Sequence, residues 1–250
     1  MSLILVTAAN APYMERIAPY LHSIQRHAGA HDFDRRVLVT VGCRVDMPAE
    51  LASIEAVPLP ASQAVGHTGN WCIQQGCFLD VLGASDDDVL VFTDGDIVLQ
   101  RAPTGDELAW MRAIPHGAIA LGWNAGPHDT LELEGQRIGL TEEGRELFAP
   151  LLHRKVFNVG VVVCRAATYR ALYARYMELW AEYYPQTNHY AANQFLMCAV
   201  AHELGLLVWE MHPTVHTHGC FGLPAWADEA DDGTVIVDGV PVLFRHHWKW

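Results

Sequence analysis

The sequence predicts an α/β fold with a central, mostly parallel sheet flanked by helices. Three observations predict it. Short, β-rich apolar runs recur at Leu3–Val6, Arg36–Val41, Val89–Phe92 and Phe157–Cys164, as expected of strands buried on both faces. Segments with helical spacing separate the early runs, so successive strands need crossovers, which parallel sheets require. The chain has 250 residues, 51% hydrophobic and 18% charged, enough for one sizeable core. No repeat, low-complexity tract or linker divides it. Residues 1–250 therefore read as one domain, with a βαβ half over 1–100 and a second half over 101–250.

The elements follow in order. Leu3 to Val6 is a first strand, and Thr7 to Tyr13 a loop at its carboxyl end. Pro12 opens a helix to about Ala28, with Ile17, Leu21 and Ile24 at core-facing spacing. Strands follow at Arg36–Val41 and Ile54–Leu59. Gln63 to Leu82 reads as helical from Trp71 onward, and Val89 to Phe92 as the fourth strand. Then come a helix at Asp106–Ile114, a strand at Ala118–Trp123, a loop at Asn124–Glu134 and a short capped helix at Thr141–Phe148. Phe157–Cys164 is a strand, Ala166–Tyr184 and Ala191–Leu204 are helices, and Leu206–Trp209 is a strand. A hairpin joins Val235–Val237 to Val240–Phe244 through Asp238-Gly239, a two-residue turn. The last residues, Arg245 to Trp250, are rich in His, Trp and Lys and are poorly explained as core.

Composition excludes some partners. Sixteen cations against 29 acidic residues leave a charge of −13, which argues against a nucleic-acid or anionic-membrane surface. Fourteen of the cations are Arg, which keeps local bidentate phosphate contacts open. There is no G-x-G-x-x-G and no P-loop signature. The six cysteines are scattered without C-x-x-C spacing, so they read as free thiols in a reducing compartment. Met1 to Thr7 lack a basic segment and hold too short an apolar run for a secretory leader, and no run approaches the length of a membrane span, so the expectation is a soluble cytoplasmic protein.

The chemistry centres on Val91-Phe-Thr-Asp-Gly-Asp96. A buried strand ends in two carboxylates, Asp94 and Asp96. Two such groups on one side of a strand end repel unless a positive charge sits between them. Gly95 lets a ligand approach the backbone closely. Oxygen ligands suit Mg²⁺ or Mn²⁺. The bland reading is a polar turn. Five histidines, His212, His216, His218, His246 and His247, crowd the last 39 residues, and one imidazole would complete the Asp pair. Asn158 opens an apolar strand, Gly160 within it implies close approach of another group, and Asn193-Gln194 opens a helix. N-capping would account for Asn193 but not for Gln194. Trp226, Trp248 and Trp250 lie in polar surroundings where a ring can stack on a sugar or base.

Together these pieces resemble the GT-A superfamily of nucleotide-sugar glycosyltransferases, most closely glycosyltransferase family eight, the glycogenin and lipopolysaccharide galactosyltransferase group. Leu5-Val-Thr-Ala8 with Tyr13 is similar to the family's nucleotide-binding strand and loop. Val91 to Asp96, with Thr93 and Gly95, resembles its metal-binding D-x-D. Phe157-Asn-Val-Gly160 resembles its acceptor-side F-N-[AS]-G, and Asn193-Gln194 its D-Q pair. His246 or His247 with Lys249-Trp250 resembles a compressed C-terminal H-x-x-G-x-x-K-P-W, without its Gly and Pro. A basic residue usual before the D-x-D is missing between Gln63 and Leu82.

The resemblance implies a GT-A fold, with residues 1–100 the nucleotide-binding half and 101–250 the acceptor-side half. It implies a metal held by Asp94, Asp96 and His246 or His247, and Lys249 on the diphosphate. It implies transfer of a hexose from a nucleoside diphosphate sugar, UDP by preference, to a glycan or other hydroxyl. Retention of configuration would follow, with Gln194, Asn193 and Asn158 near the reacting face. An inverting enzyme would need a carboxylate base such as Asp129 or Asp228. Two alternatives remain. One is a haloacid-dehalogenase-type phosphatase with Asp94 as nucleophile and Asp96 as acid/base, for which Lys155, Lys249 and Asp231-Asp232 are the available helpers. The other is a non-catalytic sugar-nucleotide-binding module.

Overall fold

The computed structural model describes residues 1–29, 31–60, 78–124, 129–187, 192–218 and 223–246. The chain begins with β1 (Leu3–Asn10), a 3-10 turn over Ala11–Tyr13 and helix α1 (Met14–His27). Pro12 pre-sets the turn. Pro19 lies inside α1, where it removes one backbone hydrogen bond. The apolar stripe Ile17, Tyr20, Leu21 and Ile24 holds the helix on the sheet. Next come β2 (Arg35–Val41), β3 (Glu55–Leu59), α2 (Leu79–Leu82), β4 (Val89–Thr93) and β5 (Ile97–Leu99). Most of the expected Gln63–Leu82 helix lies outside the described residues.

Helix α3 (Gly105–Arg112) starts on a capping box between Thr104 and Glu107. Strand β6 (Ala118–Trp123) follows. The expected loop at Asn124–Glu134 is corrected in part, because Leu131–Arg137 forms helix α4. The Thr130 hydroxyl accepts from the Leu133 N–H, and Glu132 and Glu134 sit in the first turn, where the helix dipole favours acids. Helix α5 (Glu142–Phe148) is capped by Thr141. Then follow β7 (Phe157–Arg165), α6 (Ala166–Thr187), α7 (Ala192–Glu203), β8 (Leu207–Glu210), β9 (His216–His218), β10 (Asp228–Glu229), β11 (Val235–Val237), β12 (Val240–Pro241) and β13 (Phe244–His246).

Seven strands form the main sheet, in the order β3-β2-β1-β4-β7-β6-β8. The pairs β3/β2, β2/β1, β1/β4 and β6/β8 are parallel, and β7 runs antiparallel to both its neighbours. Strand alternation splits the core into two layers. Ile4, Val6, Leu90 and Phe92 face α2 and α4 to α7. Leu3, Leu5, Val89 and Val91 face α1, α3, β5 and β13.

The hairpin turn occurs where expected. Asp238 and Gly239 both take positive φ, 53° and 75°, as a two-residue turn between twisted strands demands. Its second strand is shorter than expected. Pro241 has no N–H to extend the ladder. The chain then leaves for another sheet, in which β13 is central, antiparallel to β5 and parallel to β9. For Arg245 and His246, which join this sheet, this corrects the reading of the tail as non-core, while residues 247–250 lie outside the described residues. Phe244 is fully buried, His246 is 7% exposed, and Arg245 donates to the Gly233 carbonyl and pairs with Glu229.

Candidate active site

Strand β4 ends beside β7, and the turn Asp94-Gly-Asp96 carries the chain from β4 into β5. The register of the small sheet then matters. His246 of β13 lies opposite Ile97 of β5, so its imidazole is delivered next to the turn. One ligand atom from each of Asp94, Asp96 and His246 falls within 4.8 Å of the other two. His246 Nε2 is 3.1 Å from Asp96 Oδ1. Two carboxylates of one turn and an imidazole from the far end of the chain thus converge at the carboxyl end of β4, where open α/β sheets place ligands.

Gly160 makes the convergence possible. A Cβ there would lie 2.7 Å from both Nδ1 and Cε1 of His246, and 2.9 Å from Asn158 Oδ1. The Gly160 carbonyl accepts from the Asp94 N–H at 2.8 Å, and its N–H donates to Asn158 Oδ1 at 2.9 Å. One residue therefore joins the carboxylate turn, the imidazole and the amide cluster described below. A second glycine repeats the device. A Cβ on Gly122 would lie 1.9 Å from His216 Nδ1, and the His216 and His246 rings stand 6.1 Å apart. Two buried imidazoles rest side by side on glycine backbone of β6 and β7.

The amide cluster lies on the other side of Gly160. Asn158 Nδ2 donates to Gln194 Oε1 at 3.4 Å. Gln194 Nε2 donates to Asn124 Oδ1 and Glu134 Oε1, both at 3.3 Å. Asn124 Nδ2 donates to Asp129 Oδ2 at 3.0 Å, and Arg137 faces both Asp129 and Glu134. Burial pushes the Glu134 carboxyl above the ordinary carboxylate range, against the pull of Arg137. Asn193 is placed apart from this cluster: its side-chain oxygen accepts from the Tyr176 hydroxyl of α6 at 3.0 Å.

The end of β1 reaches the same region, because Thr7 to Asn10, expected as loop, continue the strand by pairing with β2. Gly95 packs beside Ile17 and the Ala8 carbonyl, so the end of β1 and the Asp94-Gly-Asp96 turn are adjacent. The Thr7 hydroxyl donates to the Thr93 carbonyl at 2.8 Å, and the Thr93 hydroxyl meets the Tyr20 hydroxyl. Both threonine side chains are buried, so they fasten β1, β4 and α1 together. Tyr13 stays partly exposed, with the Arg16 guanidinium 5.2 Å from its ring centre. His247 and Lys249 lie outside the described residues.

Sequence reasoning missed Asn124, Glu134, Arg137, Arg16 and the pairing of His216 with Gly122. A glycine inside the strand Ala118–Trp123 was a usable sign of close approach. Thr130 followed by acidic residues was a usable sign of the helix that carries Glu134.

No family model matches the sequence, and no curated protein does. Solved structures do. The galactosyltransferase LgtC, solved in complex with donor and acceptor sugar analogues, aligns with 99% of this chain and 87% of its own at a TM-score of 0.61 and 13% identity. Mouse xyloside xylosyltransferase 1 aligns over 98% of this chain and 96% of its own, at TM-score 0.57 and 14% identity. The glycosyltransferase GlyE of Streptococcus pneumoniae aligns over the whole of this chain and 55% of its own, at TM-score 0.57 and 12% identity. The likeness is one of architecture, and the chain has the GT-A fold.

Proposed function

We propose that this protein is a metal-dependent glycosyltransferase that moves a sugar from a nucleoside diphosphate sugar to an acceptor hydroxyl. The observation that carries the reading is the Asp94–Asp96–His246 set at the carboxyl end of β4. Two carboxylates and an imidazole fit Mn²⁺ well and Mg²⁺ acceptably, and the bare Gly160 backbone makes room for the imidazole. A divalent cation bound there would supply Lewis-acid stabilisation of the charge that develops on the leaving diphosphate.

The chain's own residues do the rest. Asp94, Asp96 and His246 would hold the ion, and the turn that carries both carboxylates lies beside the end of β1. Tyr13 offers a ring to the base, and Arg16 adds a cation beside it. Asn158 and Gln194 orient the sugar through amides that carry no charge. Retention of configuration is our reading because the group in that position is a carboxamide, which is no base near neutral pH. Of the two carboxylates named for the inverting route, Asp129 is held by Asn124 and Arg137, and Asp228 is exposed on β10. The preference for UDP, the hexose and the acceptor-side role of the second half rest on the resemblance. A cytoplasmic location rests on the free thiols, of which Cys43, Cys164 and Cys198 are described.

Among the described residues, the helpers named for the phosphatase alternative lie away from Asp94 in chain order or in other pairs. Lys155 is paired with Glu210 at 2.5 Å beneath Trp123, and Asp231-Asp232 sit between β10 and β11. Proton NMR tests the proposal: UDP-glucose, UDP-galactose and UDP-xylose are incubated with the protein and Mn²⁺, with and without a lactose acceptor. Loss of the donor anomeric signal with formation of UDP is expected for one donor. Binding of every donor without turnover would mean a binding module, and phosphate trapped on Asp94 would mean a phosphatase.

A further inference from the structure

We propose that Glu134 is a positioning residue, whose buried side chain fixes which end of the Gln194 carboxamide faces Asn158 and the metal-binding turn. The inference rests on the glycosyl-transfer reading above and names a part of the site that neither motif nor fold supplies.

A carboxamide has two ends of nearly equal shape, and neighbours decide between them. An ionised carboxylate only accepts hydrogen bonds. Glu134 Oε1, 3.3 Å from Gln194, therefore selects the NH₂ end. The second hydrogen of that NH₂ goes to Asn124 Oδ1 at 3.3 Å. Asn124 is itself oriented by a carboxylate, since its NH₂ donates to Asp129 Oδ2 at 3.0 Å. One hydrogen of the Gln194 amide is thus drawn toward α4 and the other toward Asn124, just after β6. Its oxygen is left to Asn158 Nδ2 at 3.4 Å. Asn158 must then turn its own oxygen to the Gly160 N–H, at 2.9 Å, and the Gly160 carbonyl holds the Asp94 N–H at 2.8 Å. The order of donors and acceptors runs one way from Glu134 to the metal-binding turn.

Packing alone does not account for Glu134. It is 3% exposed, on the face of α4 that meets α7, where an apolar side chain would avoid the cost of burying a carboxylate. Arg137, one turn on, offsets that cost by facing Glu134 at 3.1 Å and Asp129 at 3.5 Å.

The test compares Glu134→Leu, Glu134→Gln and Gln194→Ala with the intact protein. Leu offers no acceptor, whereas Gln can present a carbonyl oxygen to Gln194. With Glu134→Leu, kcat falls about 10–100-fold while donor KM stays within about twofold, because misplacement of an orienting group acts on the reacting geometry. Glu134→Gln restores kcat to within about threefold of the intact protein. A residue needed only for stability would lower the melting temperature in proportion to any loss and would leave kcat per folded molecule unchanged. A second readout does not depend on turnover. The side-chain amide signal of Gln194, identified by its loss in Gln194→Ala, exchanges with solvent at least about tenfold faster in Glu134→Leu, because a donor held by a charged acceptor is released. Unchanged exchange in that variant overturns the inference. Absence of turnover in the intact protein would count against the transferase reading and leave the exchange result to decide this one.

Discussion

Replacing Gly160 with Ala tests the geometry of the site with a single methyl group. The new Cβ would sit 2.7 Å from the His246 ring and 2.9 Å from Asn158 Oδ1. Comfortable carbon contacts lie at about 3.5–4.0 Å, so the ring must retreat by roughly 1 Å. His246 is buried and held in β13 between β5 and β9, so it cannot swing out freely. Overpacking of this kind costs about 1–3 kcal/mol. At about 2–4 °C per kcal/mol for a chain of this size, the melt falls by about 2–12 °C. Displacing a ligand or its support weakens metal binding about 10–100-fold. Calorimetric titration of Mn²⁺ in the presence of UDP reads the affinity, and a thermal melt reads the stability. Gly105→Ala is the control, because a Cβ there meets nothing within 4 Å. If Gly160→Ala binds Mn²⁺ with UDP as tightly as the parent does, His246 does not depend on that glycine and the reasoning fails.

Asp96→Asn should abolish Mn²⁺-dependent UDP binding while keeping a cooperative melt, since Asp96 is partly exposed; loss of the melt would favour a structural turn instead. His246→Ala should weaken Mn²⁺ affinity in the presence of UDP by at least about tenfold; titration at parental strength would remove it from the ligand set. Gly122→Ala should destabilise at least as much as Gly160→Ala, because its Cβ falls 1.9 Å from His216, and equal melting of Gly122→Ala and the parent would count against the paired-imidazole arrangement. Burial raises the Glu107 carboxyl's affinity for a proton, but the Arg101 guanidinium and the Thr104 N–H outweigh it and hold the pKa low. Glu107 therefore stabilises the fold above the ordinary carboxylate pKa of about 4.3, and loses that effect as pH falls through its lowered value. Glu107→Gln should cost about 1–3 kcal/mol at neutral pH, with the gap to the parent closing below about pH 4 in urea melts; a gap independent of pH would contradict this.

The strands were legible because burial on both faces leaves apolar runs such as Val89–Phe92, and the turn after it was legible because two carboxylates there make little sense without a cation. Asn158 and Gln194 stood out as polar residues at the entrance to apolar elements. Long-range register was harder to read. Nothing local says that Phe244–His246 leaves the hairpin to lie between β5 and β9, which is what carries His246 to Asp96. Nor does composition show that Glu134 points inward. A Gly-, Asp- and Thr-rich stretch reads as loop, and the helix there exists because Thr130 caps it and α7 packs on it. Thr7 and Thr93 were read through the motif, yet their hydroxyls are turned to the fold's own hydrogen bonds.

Asp94, Asp96 and His246 are proposed to bind a nucleoside diphosphate together with a divalent ion. Melting the protein with UDP, GDP, CDP and dTDP, each with and without Mn²⁺, tests this most directly. A ligand at about a hundred times its dissociation constant adds about 2.7 kcal/mol, which is a rise of about 5–10 °C here. That rise is expected for UDP with Mn²⁺, little for UDP or Mn²⁺ alone, and none in Asp96→Asn. Equal rises with all four nucleotides would contradict the preference for UDP. A rise that survives without Mn²⁺, or no rise with any nucleotide, would contradict the metal-bridged site itself.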